Sequence, residues 1–178
     1  MPDARMNKPH AIIVMGVSGC GKSSVGEKLA EALHLQFVEG DALHPTSNVE
    51  KMSKGIPLTD EDRMPWLDLI GERMQASLEK GEGIIVSCSA LKRIYRDRLR
   101  AAAGNPFFVY LEGSKALLTK RMGERKGHFM PVSLLESQLA TLEVPIGEAG
   151  VVTVDIDDTV EGITVTALRG LSTLGVTA

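Results

Sequence analysis

Residues Gly16-Val17-Ser18-Gly19-Cys20-Gly21-Lys22-Ser23 read G-x-x-x-x-G-K-S. That spacing commits the chain around it to a strand, a phosphate-cradling loop and a helix, in that order. The flanks agree. Ala11-Ile12-Ile13-Val14-Met15 is a short apolar run of the buried-strand type, and Ser24 to Leu33 carries Val25, Leu29 and Ala32 at helical spacing. Glycines let the backbone wrap an anion, and the helix that follows offers its positive N-terminal end to it. Gly16 through Ser24 are therefore expected to hold a nucleoside triphosphate: Val17, Ser18, Gly19, Cys20 and Gly21 through the loop, Lys22 on the β/γ-phosphates, and the Ser23 hydroxyl on Mg²⁺.

Apolar runs alternate with helical patterns along the rest of the chain, which predicts an α/β fold with a five-stranded parallel sheet flanked by helices on both faces. The further strands are expected at 36–39, 83–88, 107–111 and 151–156. Their near-continuous hydrophobicity is what burial on both faces requires. Thr59-Asp60-Glu61-Asp62 reads as a capping box opening a helix with Leu67, Ile70, Met74 and Leu78 on one side. Pro65 is expected near its first turn. Further helices run from about Lys92 to Ala103, after a Ser114 cap, from Pro131, and after a Thr159 cap.

With 178 residues, 43% hydrophobic and 24% charged, the chain reads as a single soluble domain. Its net charge of −3 gives no basic footprint for nucleic acid. Met1 to Pro9 lacks an apolar segment, no stretch has membrane-spanning length, and Cys20 and Cys88 show no metal or redox spacing. A cytoplasmic protein without a membrane or nucleic-acid partner is expected. Residues 123–131, containing Gly123-Glu124-Arg125-Lys126-Gly127-His128-Phe129-Met130, are polar, basic and flanked by glycines. Such a segment beside a phosphate site suits a mobile lid.

The function classes narrow by what the sequence holds. Asn7, Asn48 and Asn105 do not stand in a guanine-reading motif, and the third strand ends in Ser87-Cys88-Ser89 where motor ATPases place an acidic residue. A small phosphotransferase needs a phosphate loop, an acceptor pocket and a lid. The acceptor pocket should lie beyond the carboxyl ends of the strands, where three polar clusters fall. In Glu39-Gly40-Asp41-Ala42-Leu43-His44-Pro45, Asp41 suits an acceptor hydroxyl, Glu39 or Asp41 a metal-bound water, and His44 a polyol hydroxyl. In Thr59-Asp60-Glu61-Asp62-Arg63, Arg63 suits a carboxylate. In Ser87-Cys88-Ser89-Ala90-Leu91-Lys92-Arg93, Lys92 or Arg93 supplies positive charge, while Arg93, Arg96, Arg98 and Arg100 read as a solvated basic helix face.

Taken together with Asn48-Val49-Glu50-Lys51-Met52, Gly55-Ile56-Pro57-Leu58, Pro65-Trp66-Leu67, Tyr95-Arg96-Asp97, Arg125-Lys126-Gly127-His128-Phe129 and Gln138, these segments resemble the thermoresistant-type gluconokinases of the P-loop small-molecule kinase group. The resemblance runs from Ile12 to about Gly162. It implies transfer of the ATP γ-phosphoryl group to the 6-hydroxyl of D-gluconate, feeding gluconate catabolism and the pentose phosphate pathway. It implies Lys22, Asp41 and Arg125 as catalytic residues, Asp41, His44, Arg63, Lys92, His128 and Gln138 as substrate-binding residues, and Lys51 as a weaker candidate. It also implies Arg121 and the Asp157-Asp158 loop at the adenine, with Asp158 in the nucleotide site, and a homodimer. A kinase for shikimate or a nucleoside monophosphate, and a nucleotide-dependent switch, are the alternative readings.

Overall fold

A computed structural model describes residues 9–124 and 132–177 of the chain. Strands β1 (Ala11–Met15), β2 (Gln36–Glu39), β3 (Ile84–Ser87), β4 (Phe107–Glu112) and β5 (Val151–Asp155) alternate with helices α1 (Lys22–Leu33), α2 (Thr46–Ser53), α3 (Asp60–Glu79), α4 (Arg93–Ala103), α5 (Lys115–Glu124), α6 (Val132–Thr141) and α7 (Val160–Thr173). The sheet is wholly parallel, in the order β2-β3-β1-β4-β5. This is the five-stranded parallel α/β arrangement expected from the alternation, and the P-loop kinase fold that the resemblance implies.

Side-chain alternation in the central strand sorts the two faces. Ile12 and Val14 face a core made with Val25 and Leu29 of α1 and Ile163, Ala167 and Leu171 of α7. Ala11, Ile13 and Met15 face the opposite core, closed by Trp66, Leu67, Ile70 and Met74 of α3 and Tyr95 and Leu99 of α4. Burying both faces is the reason the inner strands β1, β3 and β4 lack polar alternation. Ser114 accepts a hydrogen bond from the Leu117 amide, and Thr159 accepts one from Gly162, so both expected caps are present.

The strand order fixes where a ligand can sit. From β1 the chain passes through α1 to β2 on one side, and from β3 it crosses to β4 on the other. Connections leaving in opposite directions open a crevice at the carboxyl end of β1, where the phosphate loop begins. The register sets Val14 beside Ser87 and Glu39 beside Ser87, so the loops after β1, β2 and β3 meet at one edge.

Three local expectations change. The chain after β2 forms a 3₁₀ turn, Gly40–Leu43, followed by α2, elements absent from the sequence reading. Pro65 lies in the second turn of α3, past the expected first turn, where it has no N–H to offer the Glu61 carbonyl. Arg96 is not on a solvated face: it is fully buried against Glu148, and Arg100 joins it there. The solvated face holds only for Arg93 and Arg98. The physical reason is the 142–150 segment, which folds over α4 and brings a carboxylate to it.

Candidate active site

The phosphate loop is shaped by its glycines. Gly16, Gly19 and Gly21 have φ of 145°, 84° and 93°, values that a side chain resists. A Cβ on Gly16 would stand 2.8 Å from Cys20 Sγ and 2.9 Å from the Leu111 carbonyl oxygen. Gly21 is the N-cap of α1 and offers no side-chain cap, and the first turn of α1 holds no acidic residue. The open amides and the helix dipole are thus left for an anion. Lys22 folds back over the loop, its Nζ donating to the carbonyls of Gly16 at 3.0 Å and Val17 at 3.1 Å.

A cavity of about 650 Å³ opens over this loop, lined by Ser18, Gly19, Gly21, Lys22 and Ser23, by Glu39, Asp41 and Ala42 after β2, by Ser87, and by Met122 of α5. The structure therefore brings Lys22, Ser23 and Asp41 to one space. Ser23 presents a hard oxygen donor there, the ligand type that Mg²⁺ takes alongside phosphate oxygens.

The wall carrying Asp41 is held by a close approach. A Cβ on Gly40 would lie 2.0 Å from the Ser87 carbonyl oxygen, so only glycine lets the two strand ends meet. Gly40 N–H donates to Ser87 Oγ at 3.2 Å, and that hydroxyl donates to Glu39 Oε2 at 2.9 Å. Trp66 Nε1 donates to the Gly40 carbonyl at 2.8 Å, tying α3 to the same turn. The Trp66 ring also stacks on His44, with centroids 4.0 Å apart. Asn48 is buried and donates from Nδ2 to the Asp62 carbonyl at 2.9 Å and to His44 Nδ1 at 3.2 Å. An amide nitrogen only donates, so the neutral imidazole carries its proton on Nε2. That nitrogen lies 3.9 Å from Asp41 Oδ1. Burial lowers the His44 pKa, which the nearby Asp41 charge opposes, so the neutral ring is favoured at neutral pH.

A second cluster sits at the start of α3. The capping box forms as expected: the Asp62 amide donates to Thr59 Oγ1 at 3.1 Å, and the Thr59 amide donates to Asp62 Oδ2 at 2.9 Å. Lys51 donates to both Asp62 oxygens at 2.9 Å, and this bond is the leading cause that holds the Asp62 pKa at about 2. Lys51 is thus committed to the capping box. Arg63 donates from Nη1 to the Leu58 carbonyl at 3.0 Å and to the Tyr95 hydroxyl at 3.1 Å. Tyr95 donates in turn to Asp60 Oδ1, which also accepts from Lys92 Nζ at 2.8 Å. The Lys92 bond, then the Tyr95 bond, lowers the Asp60 pKa. Both cations lie near the Tyr95 ring, at 5.5 Å for Arg63 and 5.7 Å for Lys92. Two candidate anion ligands from different elements are therefore joined through one phenol.

Arg121 and Asp158 also meet. Arg121 Nη2 donates to the carbonyls of Ile156 and, at 3.2 Å, Asp158. Asp158 Oδ1 accepts from the Thr159 amide at 2.7 Å. Gln138 of α6 is bonded to the phosphate loop: its Oε1 accepts from the Ser18 amide at 2.7 Å, and its Nε2 donates to Ser18 Oγ at 2.9 Å. Arg125 and His128 lie outside the described residues. Cys88 is buried, and burial pushes its thiol up to about 12, as befits a small core residue.

Trp66, Asn48, Asp60 and Tyr95 were assigned no ligand-positioning role from sequence. All four lie in the segments that carry the family resemblance, and an indole or phenol beside polar residues is the signal the sequence offers.

A family model described as an AAA domain matches residues 12–145. The chain is 54% identical over 138 residues to a gluconokinase of Gluconobacter oxydans, covering 78% of both chains. It is 42% identical over 161 residues to the thermoresistant gluconokinase of Escherichia coli, covering 90% of this chain and 92% of that one. Among solved structures, a gluconokinase from Sinorhizobium meliloti superimposes with a TM-score of 0.87 at 57% identity, over 94% of each chain.

Proposed function

The chain belongs to the gluconokinase family of P-loop kinases, and on that premise we propose that it transfers the γ-phosphoryl group of ATP to the 6-hydroxyl of D-gluconate. The products are 6-phospho-D-gluconate and ADP. The observation that carries this reading is the shared cavity, in which Lys22 and Ser23 of the phosphate loop face Asp41 of an acceptor wall.

The step forms one P–O bond, from the gluconate O6 to the γ-phosphorus, and breaks the bond from that phosphorus to the β–γ bridging oxygen. The hydroxyl proton leaves O6. Positioning and charge neutralisation supply most of the acceleration in such transfers. The loop amides at the start of α1 hold the phosphates. Lys22 exchanges its bonds to the Gly16 and Val17 carbonyls for the phosphate oxygens. Asp41 orients the O6 hydroxyl and accepts its proton or hydrogen bond. Ser23 would hold Mg²⁺, which would neutralise charge on the β/γ-phosphates.

The acceptor is an open-chain polyol with a carboxylate. Arg63 and Lys92 suit the acid end, and His44, fixed by its Trp66 stack and the Asn48 bond, suits a hydroxyl. Arg121 and Asp158, joined at the 156–158 loop, belong to the adenine end. The lid that the resemblance implies at 123–131, within a single kinase domain, has Arg125 for the transferring group and His128 for the acceptor; residues 125–131 lie outside the described residues.

A cytoplasmic location is supported by two free, buried cysteines, and among the described residues no helix is long and apolar enough to cross a membrane. A homodimer rests on the family resemblance.

The deciding experiment is a coupled ADP-release assay with Mg·ATP and D-gluconate, shikimate, nucleoside monophosphates or no acceptor. A signal selective for gluconate is expected. Acceptor-independent release would instead make the protein a nucleotide switch, and a signal with another acceptor alone would overturn the pocket assignment.

A further inference from the structure

We infer that Gln138 is a positioning residue of the phosphate loop, and not a ligand of the sugar acid. This rests on the loop's being the nucleotide site, and only in that respect on the reaction proposed above.

Both polar atoms of the Gln138 amide are engaged by one loop residue. Oε1 takes the Ser18 N–H at 2.7 Å, and Nε2 gives a hydrogen to Ser18 Oγ at 2.9 Å. A paired donor and acceptor on a neighbouring pair define orientation as well as distance. The bond also takes one N–H of the loop away from any phosphate and fixes Ser18 where it borders the cavity.

The helix bearing Gln138 is itself anchored. Leu135 on α6 is fully buried. The Gln138 carbonyl accepts from the Leu142 amide at 2.8 Å, and the next residue, Glu143, donates from its amide to the Leu91 carbonyl at 2.8 Å. The Glu143 carbonyl accepts from the buried Arg96 at 2.8 Å. Gln138 therefore stands on a strut fixed at the β3–α4 loop and pressed on the phosphate loop at its other end. The next loop residue, Gly19, is held from the α5 side, where a Cβ would meet Met122 Cγ at 2.7 Å. The crown of the loop is set between α5 and α6.

The test compares Gln138→Met, which keeps length and packing, with Ser18→Ala and the double variant. Binding of Mg·ADP is titrated by calorimetry, and KM is measured for ATP and for gluconate. Losing the pair leaves the Ser18 amide unpartnered, a loss on the order of tenfold in affinity. The ADP Kd and the ATP KM of Gln138→Met should therefore rise about fivefold to tenfold, with the gluconate KM changed less than about twofold. Ser18→Ala should have a smaller effect, and the double variant should bind ADP no worse than Gln138→Met, since the two residues share the interaction.

A raised gluconate KM with unchanged ADP affinity would make Gln138 a sugar ligand and overturn the inference. Additive losses, or an ADP Kd that moves in neither single variant, would overturn it too. Should Gln138→Met fail to fold, Gln138→Glu, which turns the Nε2 donor into an acceptor and sets a charge beside the loop, takes its place, and an unchanged ADP Kd in that variant has the same force. The ADP titration stays readable even if wild-type protein phosphorylates no gluconate, which separates failure of this inference from failure of the proposed reaction.

Discussion

Arg96 and Glu148 meet in a two-pronged ion pair, 2.9 Å from Nε to Oε1 and 2.7 Å from Nη2 to Oε2, with side chains 0% and 4% exposed. The remaining guanidinium hydrogens go to the Ala90, Leu91 and Glu143 carbonyls. Ala90 has a φ of 45°, costly for a non-glycine residue, and it lies in the loop leading to Lys92. The pair thus holds a strained loop and the 142–150 segment to one helix.

Removing Glu148 leaves the buried Arg96 guanidinium without its carboxylate, and removing Arg96 breaks the two-pronged pair and leaves Glu148 with Arg100 alone. Arg96→Met is expected to destabilise the fold by about 3–5 kcal/mol, read as a lower urea midpoint. The Arg96 bond, more than the Arg100 bond, holds the Glu148 pKa at about 2 against an ordinary 4.5. A carboxylate depressed in the folded state contributes stability that is present above the unfolded value and lost as pH falls through the folded one. Stability should therefore fall between about pH 4.5 and pH 2, and Glu148→Gln should flatten that part of the profile. An unchanged slope in that variant would assign the acid sensitivity elsewhere.

Tyr95 links the two cations proposed for the acid end of the substrate. Its hydroxyl accepts from Arg63 and donates to Asp60, the partner of Lys92. Tyr95→Phe keeps the ring in the core and removes only those bonds. Loss of one hydrogen bond to a charged group corresponds to about a tenfold effect. The gluconate KM should rise by about that factor while the ATP KM stays within about twofold. Equal changes in both would place the cluster outside the acceptor site.

Lys22 spends its charge on two loop carbonyls until phosphate competes for it. Lys22→Ala should lower kcat by at least about 10²- to 10³-fold, the scale of losing one preorganised donor at the transferring charge. Its melting temperature should stay near the wild-type value, because those carbonyls border the cavity. Near-normal turnover in the folded variant would remove Lys22 from the transfer step.

What the sequence showed and what it hid follow from the range of the interactions. The strands and the caps at Thr59, Ser114 and Thr159 were legible because they depend on contiguous apolar runs or on residues three apart. Helix α2 was hidden because Val49 and Met52 are exposed, leaving no apolar stripe to read. Its order comes from Asn48, which reaches Asp62 across the α2–α3 turn. Arg96 looked like one basic residue among several, because the carboxylate that buries it is 52 positions away. The Gln138 bond spans 120 positions, and nothing local to either residue announces it. The phosphate loop was legible for the opposite reason: its chemistry is written in eight consecutive residues.

Asp41 is the group whose role the geometry constrains most usefully. It lines the cavity with Lys22 and Ser23, its side chain is 75% exposed, and the neutral His44 ring lies 3.9 Å from its Oδ1. That distance is too long for a hydrogen bond, so the carboxylate is not consumed by the imidazole and remains available to an acceptor hydroxyl. Asp41→Asn retains the shape and one acceptor oxygen but loses the charge and the basicity. If the group takes the O6 proton, kcat should drop by about 10²-fold or more, with the ATP KM nearly unchanged, as for other general bases. If it only orients the hydroxyl, the gluconate KM should rise and kcat should fall by less than about tenfold, because a loose phosphoryl transition state demands little basic assistance. Steady-state kinetics with each substrate varied in turn distinguishes the two, and wild-type values for both constants would exclude Asp41 from either role.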